Sequence, residues 1–319
     1  MRILSGAQVA SLVSVADLIE PIAAAMLEVS KGNVEMPLRS MVKLPGQNLM
    51  GVMAGHMGAP AGHGVKVLSL YPDNPKFGRS SHCGLYLLFD GDTGLPVLCM
   101  DAAVLTEIRT AASTAVASRV LARPDSQVLA ILGLGEQAHS DIAAMRAVHP
   151  IRRIIAWGRD RAKLEAFAAK NGTEIAETAA DAVAAADIVV TATPAKAPFL
   201  SASMLRPGQH VNAVGASFAI MQELDADIVA ATRFVTDYRP SLEPQAAEVI
   251  AARKQGLIGP EHDIPEIGEI IAGSKPGRRS DSEITLYRSL GISAQDLAAA
   301  HAILARAVER GVGSEIDMT

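Results

Sequence analysis

Aromatic side chains make up 3% of the 319 residues, with a single tryptophan. That scarcity argues against a platform of rings on which nucleobases stack. An excess of positive charge is also lacking: 29 lysines and arginines stand against 34 aspartates and glutamates, a net charge of -5. No run of basic residues is available to track a phosphate backbone, so nucleic acid is not an expected partner. Cys83 and Cys99 are the only cysteines. Two cannot build a disulfide framework, and they suit a reducing compartment. No apolar stretch reaches membrane-spanning length, so no membrane partner is expected. The opening MRILSGAQVASLV lacks the apolar run and cleavage site of a secretory leader. The expected compartment is the cytoplasm. His56 and His63 flank MGAPAG without a cysteine or carboxylate at ligand spacing, so no metal is expected either.

What the chain does have is a change of texture along its length. A short strand, MRIL, leads to the helical stretch SVADLIEPIAAAMLEVSKG, with Ser14 as its cap and Gly32 as its stop. Between residues 36 and 100 come short β-rich segments separated by turn residues, among them GVKVLSLYP, GLYLLFD and LPVLCMD. DGDTG between the last two reads as a hairpin turn. The stretch DAAVLTEIRTAASTAVASRVLAR then predicts a long helix ending at Pro124. From Ser126 the apolar runs QVLAILGLG, RRIIAWG, DIVVTAT and QHVNAVG alternate with helical sequence. Near-continuous apolar strands alternating with helices predict a parallel sheet covered on both faces. The expected fold class is α/β, a doubly wound parallel sheet over residues 120–291. A smaller α+β domain is expected from residues 1–119 with 292–319, the amphipathic tail SAQDLAAAHAILARAVERG packing back onto it. Its short strands make too small a sheet to close without exposed edges, which predicts at least a homodimer.

In QVLAILGLGEQAHS a strand ends at Leu132 and a helix opens near Glu136 and Gln137. The spacing of Gly133, Gly135 and Ala138 is that of a dinucleotide loop. The first glycine permits the tight turn, the second lets backbone approach a pyrophosphate, and Ala138 allows close helix–strand packing. A strand before and a helix after give the motif the context it needs. An NAD-type site would end its second strand in an acid that holds the ribose 2′-hydroxyl. IIAWGRDRAK instead carries Gly158, Arg159 and Asp160. A missing carboxylate beside an arginine favours NADP(H), with NAD(H) still possible. Asp160 reads equally well as the cap of the following helix.

Three cations stand in apolar segments: Arg39 in MPLRS, Lys66 in GVKVLS and Arg109 in TEIRTAA. Cations in such settings are rarely left unpaired. Each alone reads as half of a structural ion pair; all three converging would make a carboxylate-binding site.

The stretches LTEIRTAASTAVASRVLAR, GLGEQA, GVKVLSLYPDN, HCGLYLLFDGDTGLP and PGRRSDSEITLYRSLGISAQDLAAA, in that order, resemble the ornithine cyclodeaminase/μ-crystallin family along nearly the whole chain. The resemblance implies a Rossmann domain joined to a domain that dimerises through its sheet. It implies NAD(P)-dependent chemistry on amino acids and cyclic imines. The family's substrate carboxylate is held by an Arg, a Lys and an Arg in motifs that match Arg39, Lys66 and Arg109. Its cofactor contacts match Ser81, Thr110, Gln137, Ala138, Thr193, the turn Val211, Asn212, Ala213 and Val214, and Ser289.

The departures narrow the reading. Where the cyclodeaminase has an acid in its early strands, this chain has Gly51. In the segment NAVGASFAIMQELD, the position of the cyclodeaminase's Asp is Ser217 and that of its Lys is Met221. Cyclodeamination needs a base to free the side-chain amine. Without these acids the expected function is NAD(P)H-dependent reduction of a carboxylate-bearing imine to an L-amino acid, the chemistry of the ketimine-reductase branch, with Ser217 beside the substrate. Ornithine cyclodeaminase, an alanine-dehydrogenase-like enzyme and a non-catalytic NADP(H)-binding protein are the alternatives. The loop GRRSDSE reads as solvated.

Overall fold

The computed structural model of the chain describes residues 1–318. The chain falls into two compact units, Met1–Arg109 together with the segment from Ile292 onward, and Thr110–Gly291. The division lies inside the long helix Ala102–Leu121.

In the second unit, seven described strands form one sheet whose pairings are all parallel. Val128–Leu132 sits at its centre, with Arg153–Trp157 and then Glu174–Ile175 on one side. Ile188–Thr191, His210–Ala213, Thr285–Arg288 and Arg233–Thr236 follow on the other. The strand order reverses on the two sides of Val128–Leu132, which makes this a Rossmann-type sheet. Ligands in such sheets lie beyond the carboxyl ends of the strands at that switch point. Ile188–Thr191, His210–Ala213 and Thr285–Arg288 are buried at every residue, as strands covered on both faces must be.

The first unit is built on an eight-stranded sheet. Its centre is the antiparallel run Leu49–Gly58, Ala61–Leu70, His82–Asp90 and Pro96–Asp101. DGDTG is the turn between the last two, with the Asp90 carboxylate accepting from the Thr93 amide and hydroxyl. Helix Val15–Ser30 starts in a reciprocal capping box between Ser14 and Asp17, and the chain leaves it through Gly32 in a left-handed conformation, φ 77°. Helix Ser293–Glu309 packs against Val15–Ser30 and against the strands Leu49–Gly58 and Ala61–Leu70. Arg2 fixes this tail by donating to the Ala307 and Val312 carbonyls.

The strand Ala61–Leu70 inverts the usual alternation. Gly62, Gly64 and Lys66 are buried, whereas Val65 and Val67 lie on the more open face. Arg278 also departs from the sequence reading of a solvated loop. It is half-buried and donates to the backbone carbonyls of Leu121, Gln209 and Glu283.

Candidate functional site

The glycine loop of the second unit begins at Gly133, which has φ 137° and packs on the next loop so closely that an added Cβ would lie 2.3 Å from the Ala192 carbonyl oxygen. Any other residue fails there on both backbone conformation and space. Gly135 caps the helix Glu136–Val148 without a side-chain hydrogen bond to the first-turn amides. An added Cβ on Gly135 meets nothing within 4 Å, so packing does not explain this glycine. Approach of a ligand to the backbone does. Ala138 is fully buried against the sheet. Glu136 is exposed at the first helical position. The Gln137 side-chain nitrogen is buried and has no hydrogen-bond partner among the described residues. A helix start with free amides, an open approach and an orphaned donor fits a dinucleotide pyrophosphate.

At the end of the second strand, an added Cβ on Gly158 would lie 2.4 Å from a Leu134 methyl. The Leu134 side chain of the glycine loop thus fills the space that a side chain at position 158 would enter, and would have to move to admit one. Asp160 caps the helix Arg161–Asn171, accepting from the Lys163 amide. Arg159 is exposed beside it.

The loops beyond two neighbouring strands are tied together by Glu223, which the sequence reading left without a role. It is 1% exposed. One carboxylate oxygen accepts from the Thr193 amide at 2.7 Å and the Thr193 hydroxyl at 2.8 Å. The other accepts from the Thr191 hydroxyl at 3.0 Å and from the amides of Gly215 and Ala216 at 2.9 and 3.1 Å. Burial pushes its carboxyl above the usual range, against the pull of these donors. Arg288 grips the second loop from another side. It donates to the carbonyls of Ala213 and Ala216 while its buried charge pairs with Glu248. Ser217 is half-buried in this loop. Ser289 is buried and its amide donates to the Ala213 carbonyl.

The residues of the turn at 211–214 divide. Val211 and Ala213 are core residues, and Val214 is 8% exposed. The Asn212 amide donates to the Ser118 hydroxyl and its oxygen meets His210. Burial first, then the Arg278 charge, hold His210 down at about 3, a neutral ring that completes an interior network. The Asn212 side chain therefore serves the sheet. Thr110 is buried at the start of the second unit. In the first unit, the Ser81 hydroxyl pairs with the His82 ring.

The first unit gathers the predicted cations. Lys66 and Arg109 are 1% and 4% exposed. Both meet Asp296, which is fully buried on the helix Ser293–Glu309. Lys66 Nζ lies 3.0 Å from one carboxylate oxygen and 2.9 Å from the other. Arg109 Nε lies 3.0 Å from the first. Lys66 also donates to the Thr106 hydroxyl at 3.1 Å, and Arg109 to the Gln295 side-chain oxygen at 2.5 Å. Burial is the main force that brings Lys66 down to about 7; Asp296 opposes it, whereas the charges of Arg109 and Arg39 add to it. Arg39 thus belongs to the same electrostatic cluster. Opposite Lys66 in the strand register is Tyr86, fully buried, its hydroxyl pushed up first by burial and then by Asp296. Two buried cations share one carboxylate. The surplus charge is what a substrate anion would neutralise, since an unmatched buried charge is costly.

Asp296 is absent from the sequence reading. Gln295 and Asp296 sit in the first turn of an amphipathic helix, where acids normally favour the dipole and face water. His63, by contrast, stacks on Phe89 with ring centroids 5.1 Å apart, a packing role.

Comparison with known proteins follows the same lines. The family model described as "Ornithine cyclodeaminase/mu-crystallin family" matches residues 1–311. A Delta(1)-pyrroline-2-carboxylate reductase of Bacillus cereus is 33% identical over 99% of this chain and 100% of its own length. Among solved structures, the Delta(1)-pyrroline-2-carboxylate reductase of Thermococcus litoralis in complex with NADH and L-proline superimposes with a TM-score of 0.94. It is 32% identical and covers 99% of this chain and 100% of its own. An archaeal alanine dehydrogenase dimer with bound NAD gives a TM-score of 0.93 at 31% identity, over 100% of this chain and 99% of its own.

Proposed function

The chain belongs to the ornithine cyclodeaminase/mu-crystallin family, and from that premise we propose that it reduces a carboxylate-bearing cyclic imine of the Δ1-pyrroline-2-carboxylate or Δ1-piperideine-2-carboxylate type to the L-amino acid. The observation that carries this reading is the buried pair Lys66 and Arg109 sharing the single carboxylate of Asp296. Such a cluster takes up one further carboxylate, and Arg matches it bidentately. A bound nicotinamide dinucleotide supplies the hydride. We assign its pyrophosphate to the loop Gly133–Ala138 and its nicotinamide half to the loops held by Glu223, with Thr193, Val214 and Ser289 beside them. Ser81, Thr110 and Ser217 enter this assignment through the family motifs alone.

The imine reading is favoured over cyclodeamination by what stands at the two acid positions. An added Cβ on Gly51 would lie 3.2 Å from the Met41 sulfur, so a thioether flanks the place of the first acid. Ser217 stands at the second. Purified protein supplied with NADH or NADPH is expected to reduce pyrroline-2-carboxylate or piperideine-2-carboxylate, read as loss of absorbance at the reduced nicotinamide band. Ornithine is expected to give little or no proline and ammonia. Proline formation from ornithine at a rate near that of imine reduction would overturn the assignment. Turnover of pyruvate with ammonia alone would move it to an amino-acid dehydrogenase, and binding of NADPH with no turnover across the panel to a binding protein.

For the dinucleotide we propose a preference for NADP(H). It is supported by the absence of a side chain at Gly158, where Leu134 fills the space, by Asp160 serving as a helix cap and by the exposed Arg159. NADPH should give the higher kcat/KM, and Arg159→Ala should remove most of the difference. Equal values for the two cofactors in the parent protein would refute the preference.

We also propose a homodimer, built on the more open face of the first unit's sheet. Val65, Val67, Leu85 and Leu87 lie on that face, Leu85 at 55% exposure. Light scattering should report the mass of two 33.3 kDa chains; a monomer at micromolar concentration would contradict this. The proposed compartment is the cytoplasm. It is supported by Cys83 and Cys99, both free thiols. Among the described residues no single helix is long and apolar enough to cross a membrane.

A further inference from the structure

At the centre of the proposed carboxylate clamp lies a buried acid, Asp296. Asp296 comes from a helix 230 residues away from Lys66 in sequence, and it is fully buried where it meets Lys66 and Arg109. A purely structural ion pair needs one cation for one carboxylate. Here both oxygens lie within 3.0 Å of Lys66 Nζ, one of them as its hydrogen-bond acceptor, and that same oxygen lies 3.0 Å from Arg109 Nε in an ion pair without a hydrogen bond. The carboxylate therefore sets the separation of the two cations and fixes where the lysine nitrogen sits.

Resting on the reading above, we propose that Asp296 is the positioning residue of the reaction, holding Lys66 as the ammonium that protonates the substrate nitrogen while it aligns Arg109 for the substrate carboxylate. Hydride from the reduced dinucleotide forms a C–H bond at the imine carbon. The C=N π pair moves to nitrogen, which takes a proton from Lys66 Nζ. Lys66 is left as a neutral amine and regains its proton from water.

Every charged or titratable group shown against Lys66 acts on this equilibrium. Asp296, on the helix Ser293–Glu309, favours the ammonium. Arg109, on the helix Ala102–Leu121, and Arg39, ahead of the strand Ser40–Lys43, oppose it. Tyr86 faces Lys66 across the strand pair and stays protonated near neutral pH, its hydroxyl pushed well up. Burial would otherwise favour the neutral amine, and Asp296 offsets it so that the ammonium persists near pH 7.

The test reads Lys66 directly, without substrate. In protein carrying 13C at the lysine Cε, the Lys66 signal is assigned by its loss in Lys66→Arg, and its titration is followed in the parent and in the isosteric Asp296→Asn. The parent midpoint is expected near 7, and the Asp296→Asn midpoint at least one pH unit lower. In kinetics, the alkaline limb of kcat/KM for the imine should move down by the same amount. For a one-unit shift the ratio of kcat/KM at pH 8 to that at pH 6 should then fall by about fivefold. A merely structural role would lower activity at every pH alike and leave the Lys66 midpoint in place, and an unmoved midpoint overturns the proposal. Should Asp296→Asn not fold, the parent protein still decides. The Asp296 carboxyl carbon must show a chemical-shift step at the Lys66 midpoint, and its absence overturns the proposal. A Lys66 midpoint that moves in a protein inactive on every imine would fault the substrate assignment instead.

Discussion

Replacing Arg109 with alanine is expected to lower kcat/KM for the cyclic imine by roughly 30-fold to several thousand-fold. Arg109 is 4% exposed and is held by Asp296 and Gln295. Loss of one partner from a buried, hydrogen-bonded charge pair costs about 2–5 kcal/mol, and each 1.36 kcal/mol is about tenfold. Dinucleotide affinity should stay within about threefold, because the groups assigned to the pyrophosphate belong to a different compact unit. The variant should also change its pH profile. Arg109 pulls Lys66 down, so its removal lets Lys66 rise above the value of about 7 that it holds in the parent. The alkaline limb of kcat/KM should therefore move up in Arg109→Ala, opposite to its movement in Asp296→Asn. Lys66→Arg adds the complementary measurement. It keeps the charge but cannot release a proton near neutral pH, so kcat should fall well beyond any rise in KM. An Arg109→Ala protein of native circular dichroism with kcat/KM within threefold of the parent would remove the clamp from the mechanism.

Much of the fold was legible because local patterns and tertiary roles coincide. Gly133 has a sequence signature and a physical reason, a left-handed backbone against Ala192. The wholly apolar runs around Val189 and Val211 announce strands covered on both faces. Lys66 and Arg109 were legible as charges in apolar surroundings, and the ion-pair reading describes both, with one shared partner. That partner was hidden. Asp296 looks like the polar stripe of an amphipathic helix, and only tertiary packing turns that turn inward. The inverted alternation of Ala61–Leu70 was the available clue. A strand that buries Gly62, Gly64 and Lys66 and leaves Val65 and Val67 on its open side has a polar interior to serve. Arg278 failed for a related reason. Nothing local distinguishes an arginine in GRRSDSE that solvates from one that collects backbone carbonyls from the end of its own loop and from two other segments.

Glu223 was hidden in the same way, and its replacement should give the largest loss in the nucleotide-binding unit. Glu223→Ala would strip the acceptor from the backbone amides of Thr193 and Ala216 and from the hydroxyls of Thr191 and Thr193, and would leave the Gly215 amide with the Thr191 carbonyl alone. Each buried donor left unsatisfied costs about 1–3 kcal/mol, less where water or the neighbouring hydroxyl takes over. A net loss of roughly 3–5 kcal/mol is expected, which for a unit of this size lowers Tm by about 10 °C. Glu223→Gln is not a mild version of the same change. One end of an amide is a donor, so either the Thr193 amide or the amides of Gly215 and Ala216 would face an N–H where an oxygen stood. Its Tm should fall most of the way to that of the alanine variant. Both variants should also weaken dinucleotide binding by more than tenfold, because the loops that Glu223 staples are those assigned to the nicotinamide half. The two effects can be read together by thermal melting with and without NADPH. The stabilisation that the parent gains from saturating NADPH should shrink in both variants, as mass action requires when the dissociation constant rises. A variant that melts within about 2 °C of the parent would show that the hydrogen bonds of Glu223 are dispensable. One that melts low but keeps the full NADPH increment would show that the two loops do not hold the cofactor.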